Sequence, residues 1–529
     1  MQRATLVAWP SGNCKMQNQK STGTVSQSKP KQAKSAREPS SAGLELVTTP
    51  SDAERKTQPD LLQYDCNDHG NCQRLIALHG DELRYCHAFK KWVVYDGCRW
   101  AVDRTEQARK LARLTILRFA FQAVAKQAPT SAEFAHSCLN VGPITNMLRM
   151  AQSEIFIQPA ELDLDPYLLN FKNGTVDLRT GKCGPHRYQD FITKLVNHDY
   201  RASASCDLWL KFLDGIMGGS NEMIAYLQKA IGYSLTGSTI EKAVFVPFGS
   251  GNNGKTTMLA LIRKLLGEYA ALVQINTLMT KHENSNTQSD LADLRGARFV
   301  MTSETEDGQR LAQGKLKRIT QGMGTIKAIR KYENTIEFPE THKIWMDTNR
   351  RPMITDADDQ ATFNRLHPIP FTVTIPKSEI DRKLPGKLFD EAEGILAWAV
   401  KGAKLTHKFG LDKPPEVEIA NEQWRAESDK LNQFVKECCA EGGGVPADVF
   451  YDAYFVFAKD NDLSRVLNQK EFAAKMEERP GIKKRRTKNG VIYEGLSLRV
   501  GWTGRAATDP KRKPPKQEAG KKRPAKSAV

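Results

Sequence analysis

Polar and apolar residues follow three different rhythms along this chain. Near the N-terminus, Phe89-Lys90-Lys91-Trp92-Val93-Val94-Tyr95-Asp96-Gly97-Cys98-Arg99-Trp100 alternates around Asp96-Gly97, which predicts a β-hairpin with a tight turn. Residues 105–127 change to helical spacing, with Leu111, Leu114, Ile116, Leu117 and Phe121 available for one buried face. A second hairpin is predicted over Leu168–Leu178, turning at Asn173-Gly174. Both hairpins read as structural support. From about Asp207 to Lys401, solid apolar runs alternate with helical stretches, the order of an α/β nucleotide-binding domain. Lys413-Pro414-Pro415-Glu416 reads as a linker rich in proline and charge. Beyond it, 430–441, 446–460 and 468–479 predict three short helices. Lys483–Lys488 and Val491–Glu494 follow as a basic hairpin joined by Asn489-Gly490, the order of a winged helix-turn-helix.

Length rules out a single core, because 529 residues exceed what one hydrophobic core organises. Residues 1–59 are rich in Ser, Thr, Gln, Lys and Pro and are expected to be disordered. No apolar run is long enough for a membrane span, and the N-terminal apolar patch is too short for a secretory signal. The ten cysteines therefore read as thiols of a reducing compartment. Cys66, His69, Cys72, Cys86 and His87 lie close in sequence, but Cys66 and Cys72 lack the usual zinc-pair spacing, so they read as ordinary thiols and imidazoles. The net charge of +17 is concentrated at the ends, +4 in residues 1–60 and +7 in 505–529, leaving +6 for the body. That sign suits nucleic acid, and the C-terminal tail is a candidate for DNA contact.

The sharpest chemical signal is Gly249-Ser250-Gly251-Asn252-Asn253-Gly254-Lys255-Thr256, which matches G-x-x-x-x-G-K-[ST] at every fixed position. Ala243–Phe248 before it predicts a buried strand, and Thr257–Leu266 after it predicts a helix. Such a loop turns its backbone N–H groups and a helix N-terminus toward phosphates. Lys255, expected to face solvent, would reach the β- and γ-phosphates of ATP, and Thr256 would give a hydroxyl to Mg²⁺. A second apolar run, Arg298–Thr302, leads into Ser303-Glu304-Thr305-Glu306-Asp307. Glu304 is the first choice for the carboxylate that holds Mg²⁺ and polarises water, and Glu306 is the second. A third run, His342–Thr348, ends in Asn349, a candidate for sensing the γ-phosphate. Arg365, in Phe363-Asn364-Arg365, is a candidate arginine finger.

The order of these elements resembles the superfamily 3 helicases, specifically the phage and plasmid primase-helicase C-terminal region and the related poxvirus nucleoside triphosphatase. The likeness runs from about Asp68 to Val500 and includes Asn173–Gly181 and Asp347-Thr348-Asn349-Arg350-Arg351-Pro352. It implies an α/β P-loop NTPase of AAA-plus-like core, with an α+β N-terminal domain and a C-terminal winged helix-turn-helix. The corresponding divisions are 1–59, 60–204, 205–412, 413–503 and 504–529. It further implies a homo-oligomeric ring, commonly a hexamer, working on single-stranded and forked DNA, with Asn349 as sensor and Arg365 acting in trans. Thr325–Lys331 would point into the channel, its Lys327, Arg330 and Lys331 suited to tracking phosphates. Lys484, Arg485 and Arg486 would contact DNA from the winged domain.

Two departures stand out. The acidic residue usual near Gly324 and the Arg usual near Ile329 are missing, and the aromatic-Arg-Arg around the finger becomes Phe363-Asn364-Arg365. With some 60 low-complexity residues ahead of the first structured block, the expectation is a cytoplasmic replicative helicase without its own primase domain, in a bacterial host or virus-infected cell, with a separate primase or polymerase as a candidate partner whose recruitment the sequence does not decide. Two rivals share the motifs. One is a P-loop motor for DNA packaging or transposition, and the other is a DNA-binding initiator or regulator whose ATPase is a switch.

Overall fold

A computed structural model of the chain describes residues 59–274, 278–279, 291–302, 310–329, 335–461, 463, 466–488 and 490–502. The N-terminal part is mixed α and β. Helix α1 (Asp68–His79) is followed by strands β1 (Leu83–Cys86), β2 (Lys91–Tyr95) and β3 (Trp100–Val102), then helices α2 (Gln107–Ala125), α3 (Pro129–Ser137) and α4 (Val141–Glu154). The three strands form an antiparallel sheet in sequence order. The β2–β3 hairpin turns where the sequence predicts, because Asp96 Oδ1 accepts from the N–H groups of Cys98 and Arg99, both at 2.9 Å, and Gly97 takes φ +96°.

Helix α2 forms as expected but buries a different face. Leu111 and Ile116 are inside, together with Ala108, Ala112, Thr115, Phe119 and Ala123. Leu114, Leu117 and Phe121 lie 50%, 45% and 76% exposed. The helix carries two apolar stripes, and the buried one is covered by α1 and α4 around Leu111, Ala112 and Ile116 and by α3 around Phe119.

The second hairpin, β4 (Leu168–Phe171) with β5 (Gly174–Asp177), joins β6 (Lys182–Gly184) in a three-stranded sheet. Its two-residue loop is Lys172-Asn173, one position earlier than predicted, since Phe171 pairs with Gly174. Gly174 begins β5 instead, at φ +152°, where a Cβ would come within 2.3 Å of the Gly184 carbonyl oxygen. Leu169, Phe171, Val176, Leu178, Val196 and Tyr200 pack into one continuous core with Phe245, Phe299 and Trp345 further on. The division expected at residue 204 therefore cuts through a core.

The next elements are α5 (Asp207–Ile216), α6 (Asn221–Leu235), β7 (Val244–Phe248), α7 (Lys255–Leu266), β8 (Ala270–Val273), β9 (Phe299–Thr302) and α8 (Gln313–Ile319). They continue with β10 (Thr325–Ile329), β11 (Thr335–Pro339), β12 (Lys343–Trp345), α9 (Gln360–Arg365), β13 (Leu366–Pro370), α10 (Leu384–Asp390) and α11 (Ala392–Phe409). Five strands make a parallel sheet in the order β13-β7-β12-β9-β8. Both faces of the sheet are covered, which explains the solid apolar runs. Phe245, Phe299 and Trp345 fill one face, while Val244, Val246, Val300 and Ile344 fill the other. Helices α6 and α11 cross at bare backbone: a Cβ on Gly232 would lie 2.1 Å from Ala403 N, and one on Gly402 would lie 2.0 Å from Gln228 O.

The stretch expected to be a linker is instead the start of a helix, α12 (Pro415–Ser428). Proline suits a first helical turn, where its missing N–H costs nothing. Val417, Ala420 and Trp424 are buried, and Trp424 joins the core on the second face of the parallel sheet. The break between cores falls at Asp429, which ends α12 and caps α13 (Lys430–Cys438) through its side chain. Beyond lie β14 (Cys439–Pro446), α14 (Ala447–Asp460), α15 (Gln469–Glu477), β15 (Lys483–Thr487) and β16 (Gly490–Leu498). Residues 439–446, read in part as helix, form a third strand that pairs antiparallel with β16. These elements enclose their own core around Phe434, Phe450, Tyr454 and Phe472. Among the described residues, no helix is long and apolar enough to cross a membrane.

Candidate nucleotide site

The order of the parallel sheet fixes where a ligand fits. From β7 the chain crosses through α7 toward β8, whereas from β12 it crosses the other way to β13. The crevice between the carboxyl ends of β7 and β12 is thus a switch point, the usual ligand position in open parallel sheets. The glycine-rich loop lies there. Gly249, at φ +153°, has no room for a Cβ, which would come within 2.3 Å of Phe371 O. Gly254, at φ +81°, presses on Ile216 and Phe212, and Asn252 takes a left-handed φ of +58°. Ile375 N donates to Asn252 O at 2.7 Å, bracing the loop from the segment after β13.

Lys255 differs from expectation. Its side chain is buried, 3% exposed, not turned to solvent. The ammonium donates to Gly249 O at 2.9 Å, Asn253 Oδ1 at 3.1 Å and Asn349 Oδ1 at 3.3 Å. Asn253 is equally buried and its Nδ2 donates to Ser250 O at 3.2 Å, so the loop closes around the lysine. Ser250, Gly251 and Thr256 are on the exposed side of the loop, with Thr257 half-buried at the first turn of α7.

Asn349 therefore meets Lys255, and the structure adds a second residue of the same strand end that sequence reasoning misses. Asp347, 2% exposed, accepts from Thr256 Oγ1 at 2.7 Å. A signal for it exists: it ends the same apolar run as Asn349, two positions earlier, and a carboxylate placed there is at the ligand end of a parallel strand. The hydroxyl and carboxylate are hard oxygen donors of the kind Mg²⁺ takes. Glu304 and Glu306, the expected water-polarising carboxylates, lie outside the described residues, as do Arg330 and Lys331. Strand β9, which leads to Glu304, is next to β12 in the sheet.

Arg365 closes α9 immediately before β13. Its Nε donates to Thr320 O at 3.2 Å and one terminal nitrogen donates to Ala361 O at 2.6 Å. Thr320 opens the root of the β10–β11 hairpin, the segment expected in the channel. Glu340 grips the same root, accepting from Gln321 N at 3.0 Å and Gly322 N at 3.3 Å. Within the hairpin Ile326, Ala328 and Phe338 are buried, while Lys327 stays exposed and pairs with Glu337 at 3.4 Å. Lys484 and Arg485 on β15 pair with Glu477 and Glu494, and Arg486 is exposed.

Burial pushes the Glu340 carboxyl up to about 7, against the N–H groups of Gly322 and Gln321 and the charges of Lys343 and Arg365. The sign follows from proton uptake. Between the ordinary carboxyl value and about 7 the folded chain holds a proton that the unfolded chain has lost, so this group's stabilisation is present at low pH and disappears as pH rises through 7. Glu340→Gln, which cannot ionise, is expected to gain on the parent by on the order of 3 kcal/mol between pH 5 and 8. Denaturant melts of both proteins across that range measure the difference. A constant difference would mean that Glu340 ionises normally.

Similarity to known family models falls in two stretches. Residues 72–218 match a family model described as D5 N terminal like, and residues 248–365 match one described as a family of unknown function, DUF5906. A mimivirus protein (Acanthamoeba polyphaga mimivirus) named as a putative helicase is 28% identical over 295 residues, covering 52% of this chain and 30% of that protein. A putative helicase of Frog virus 3 is 26% identical over 288 residues, covering 50% and 27%. A protein of African swine fever virus named as a putative primase is 24% identical over 315 residues, covering 54% and 32%. The matches fit a superfamily 3 primase-helicase family. The chain spans less than a third of the length of each of these relatives. Within this family frame, the second family match opens at the last residue of β7 and closes at Arg365, so it brackets Lys255, Asp347 and Asn349 together.

Proposed function

We propose that the chain is an ATP-dependent DNA helicase: a P-loop motor with an AAA-plus-like core that assembles as a ring, commonly a hexamer, and moves along single-stranded DNA. The observation that carries this reading is the joined site at β7 and β12. Lys255 and Thr256 from the loop already touch Asn349 and Asp347 from the neighbouring strand end. A γ-phosphate arriving there would compete with Asn349 for the lysine, so binding and hydrolysis would be felt directly at the end of β12. Mg²⁺ would be held by Thr256 and Glu304, with Asp347 orienting the threonine hydroxyl, and would neutralise charge on the phosphates. Asn349 would report the γ-phosphate, and Arg365 of a neighbouring subunit would complete the site.

Lys327, Arg330 and Lys331 would track the strand. Residues 430–498 read as a winged helix, with Lys484, Arg485 and Arg486 on the wing. A role in replication accords with the relatives' names, putative helicase and putative primase, and a separate primase or polymerase would be its partner. A fork-unwinding assay with purified protein, ATP and Mg²⁺ tests the reading. Strand displacement that needs hydrolysable ATP is expected. Duplex binding and ATP turnover without displacement would instead identify a DNA-bound switch.

A further inference from the structure

Outside the nucleotide site, the N-terminal part carries a groove of about 630 Å³ between the start of β2, the β3–α2 turn and helix α4. Lys90, Lys91, Arg104, Arg109 and Arg149 line it, with Trp92 at its wall. All five cations are exposed. Among the described residues, the side chains of Lys90, Lys91, Arg104 and Arg149 have no ion pair or hydrogen bond. Two acids also line the groove, yet neither offsets that charge fully. The Asp103 carboxylate is turned to the start of α2, accepting from the N–H groups of Thr105, Gln107 and Ala108 at 2.9–3.0 Å. Glu106 lies 3.9 Å from Arg109.

The wall is aromatic. Trp92 is half-buried and meets Tyr85 edge-on at 5.2 Å, and Tyr85 meets His87 at 4.9 Å. His87 Nε2 lies 3.0 Å from the carbonyl oxygen of Gln152, itself a groove residue. Exposed cations held without partners repel one another, an arrangement that costs stability unless a polyanion uses it.

We propose that this groove binds single-stranded nucleic acid, its phosphates against Lys90, Lys91, Arg104 and Arg149 and a base stacked on Trp92. Cations beside an aromatic face are the two elements that hold an unpaired strand without regard to sequence. A duplex offers only its phosphates here, because its bases face inward. The site is separate from the nucleotide loop, and its test does not rest on the motor reading.

The test uses the full chain and a labelled oligothymidylate. Lys90, Lys91, Arg104 and Arg149 are changed together to Gln, and Trp92→Leu is made separately. Circular dichroism and the melting curve check that each variant is folded. The fourfold variant is expected to bind more weakly, with its log–log salt slope reduced by about 0.7 for each phosphate that it no longer neutralises. Trp92→Leu is expected to lose about tenfold in affinity with the slope unchanged, since stacking carries no counterion. An oligonucleotide containing 5-iodouracil should crosslink to the peptide around Trp92. Unchanged affinity and slope in the fourfold variant, with no crosslink on β2, would overturn the proposal. So would displacement of the crosslink by an acidic polypeptide together with indifference to competing oligonucleotide, which would assign the groove to a protein partner.

Discussion

Replacing Arg365 with Ala is expected to leave ATP binding intact and to lower hydrolysis by about 10³–10⁵, the range seen when an arginine finger is lost. Within its own chain the guanidinium is engaged with the Thr320 and Ala361 carbonyl oxygens. Reaching a neighbour's nucleotide would release Thr320 and with it the root of the β10–β11 hairpin. Two roles must then be separated. Arg365→Lys keeps a charge and a donor for Thr320 but not the planar fork. A structural role alone would be rescued by Lys, whereas a finger would not. Mixing Arg365→Ala with Lys255→Ala protein under subunit exchange provides the second readout. In a closed ring with equal random mixing, roughly a quarter of interfaces pair an intact loop with an intact arginine. Partial return of ATPase is the expected result, with unwinding recovering less. No return despite demonstrated exchange would mean that Arg365 acts within its own chain or not at all.

Lys255→Ala is expected to lower hydrolysis by about 10³-fold or more, as a charged donor to the phosphates is removed. The buried position of Lys255 adds a consequence that a solvent-facing lysine would not have. The change leaves Gly249 O, Asn253 Oδ1 and Asn349 Oδ1 each one donor short, at a cost of about 1–3 kcal/mol where no water replaces it. A modest fall in melting temperature should therefore accompany the loss of activity. Circular dichroism and ATP turnover on the same preparation check both. Normal turnover by folded Lys255→Ala protein would remove the nucleotide-site assignment.

The parts of this structure that are legible in the sequence are those where local chemistry dictates conformation. The strand–loop–helix around Gly249–Thr256 can be read because an apolar run, glycines that need positive φ and a helix start occur in that order. Asn349 can be placed because strands buried on both faces present their polar ends to a ligand. What is not legible depends on partners far along the chain. Periodicity fits both apolar stripes of α2, and the helices packed against it, α1, α3 and α4, decide which one is buried. Strand β14, with its Gly442-Gly443-Gly444 run, has no alternation of its own and exists by pairing with β16. Lys255 is expected outside from sequence because its contact with Asn349 exists only when β7 and β12 lie side by side, and the way the loop folds back on the lysine through Gly249 and Asn253 is set by backbone conformation that residue types do not spell out. Asp347 is missed for the same reason, since its value lies in a hydrogen bond with Thr256 some ninety positions away.

The shared core between β4–β6 and the parallel sheet bears on how such chains are inherited. Leu169, Phe171 and Val176 belong to one continuous core with the aromatic residues of this sheet, so a recombination event near residue 204 would join two half-cores shaped for other partners. A crossover at Asp429 passes between two separate clusters of buried side chains and breaks, among the described residues, polar contacts such as those of Lys475 with Asp356 and Asp358. Exchange of C-terminal modules between lineages should thus be frequent. Strands β4–β6 and the parallel sheet, in contrast, should pass from ancestor to descendant as one piece.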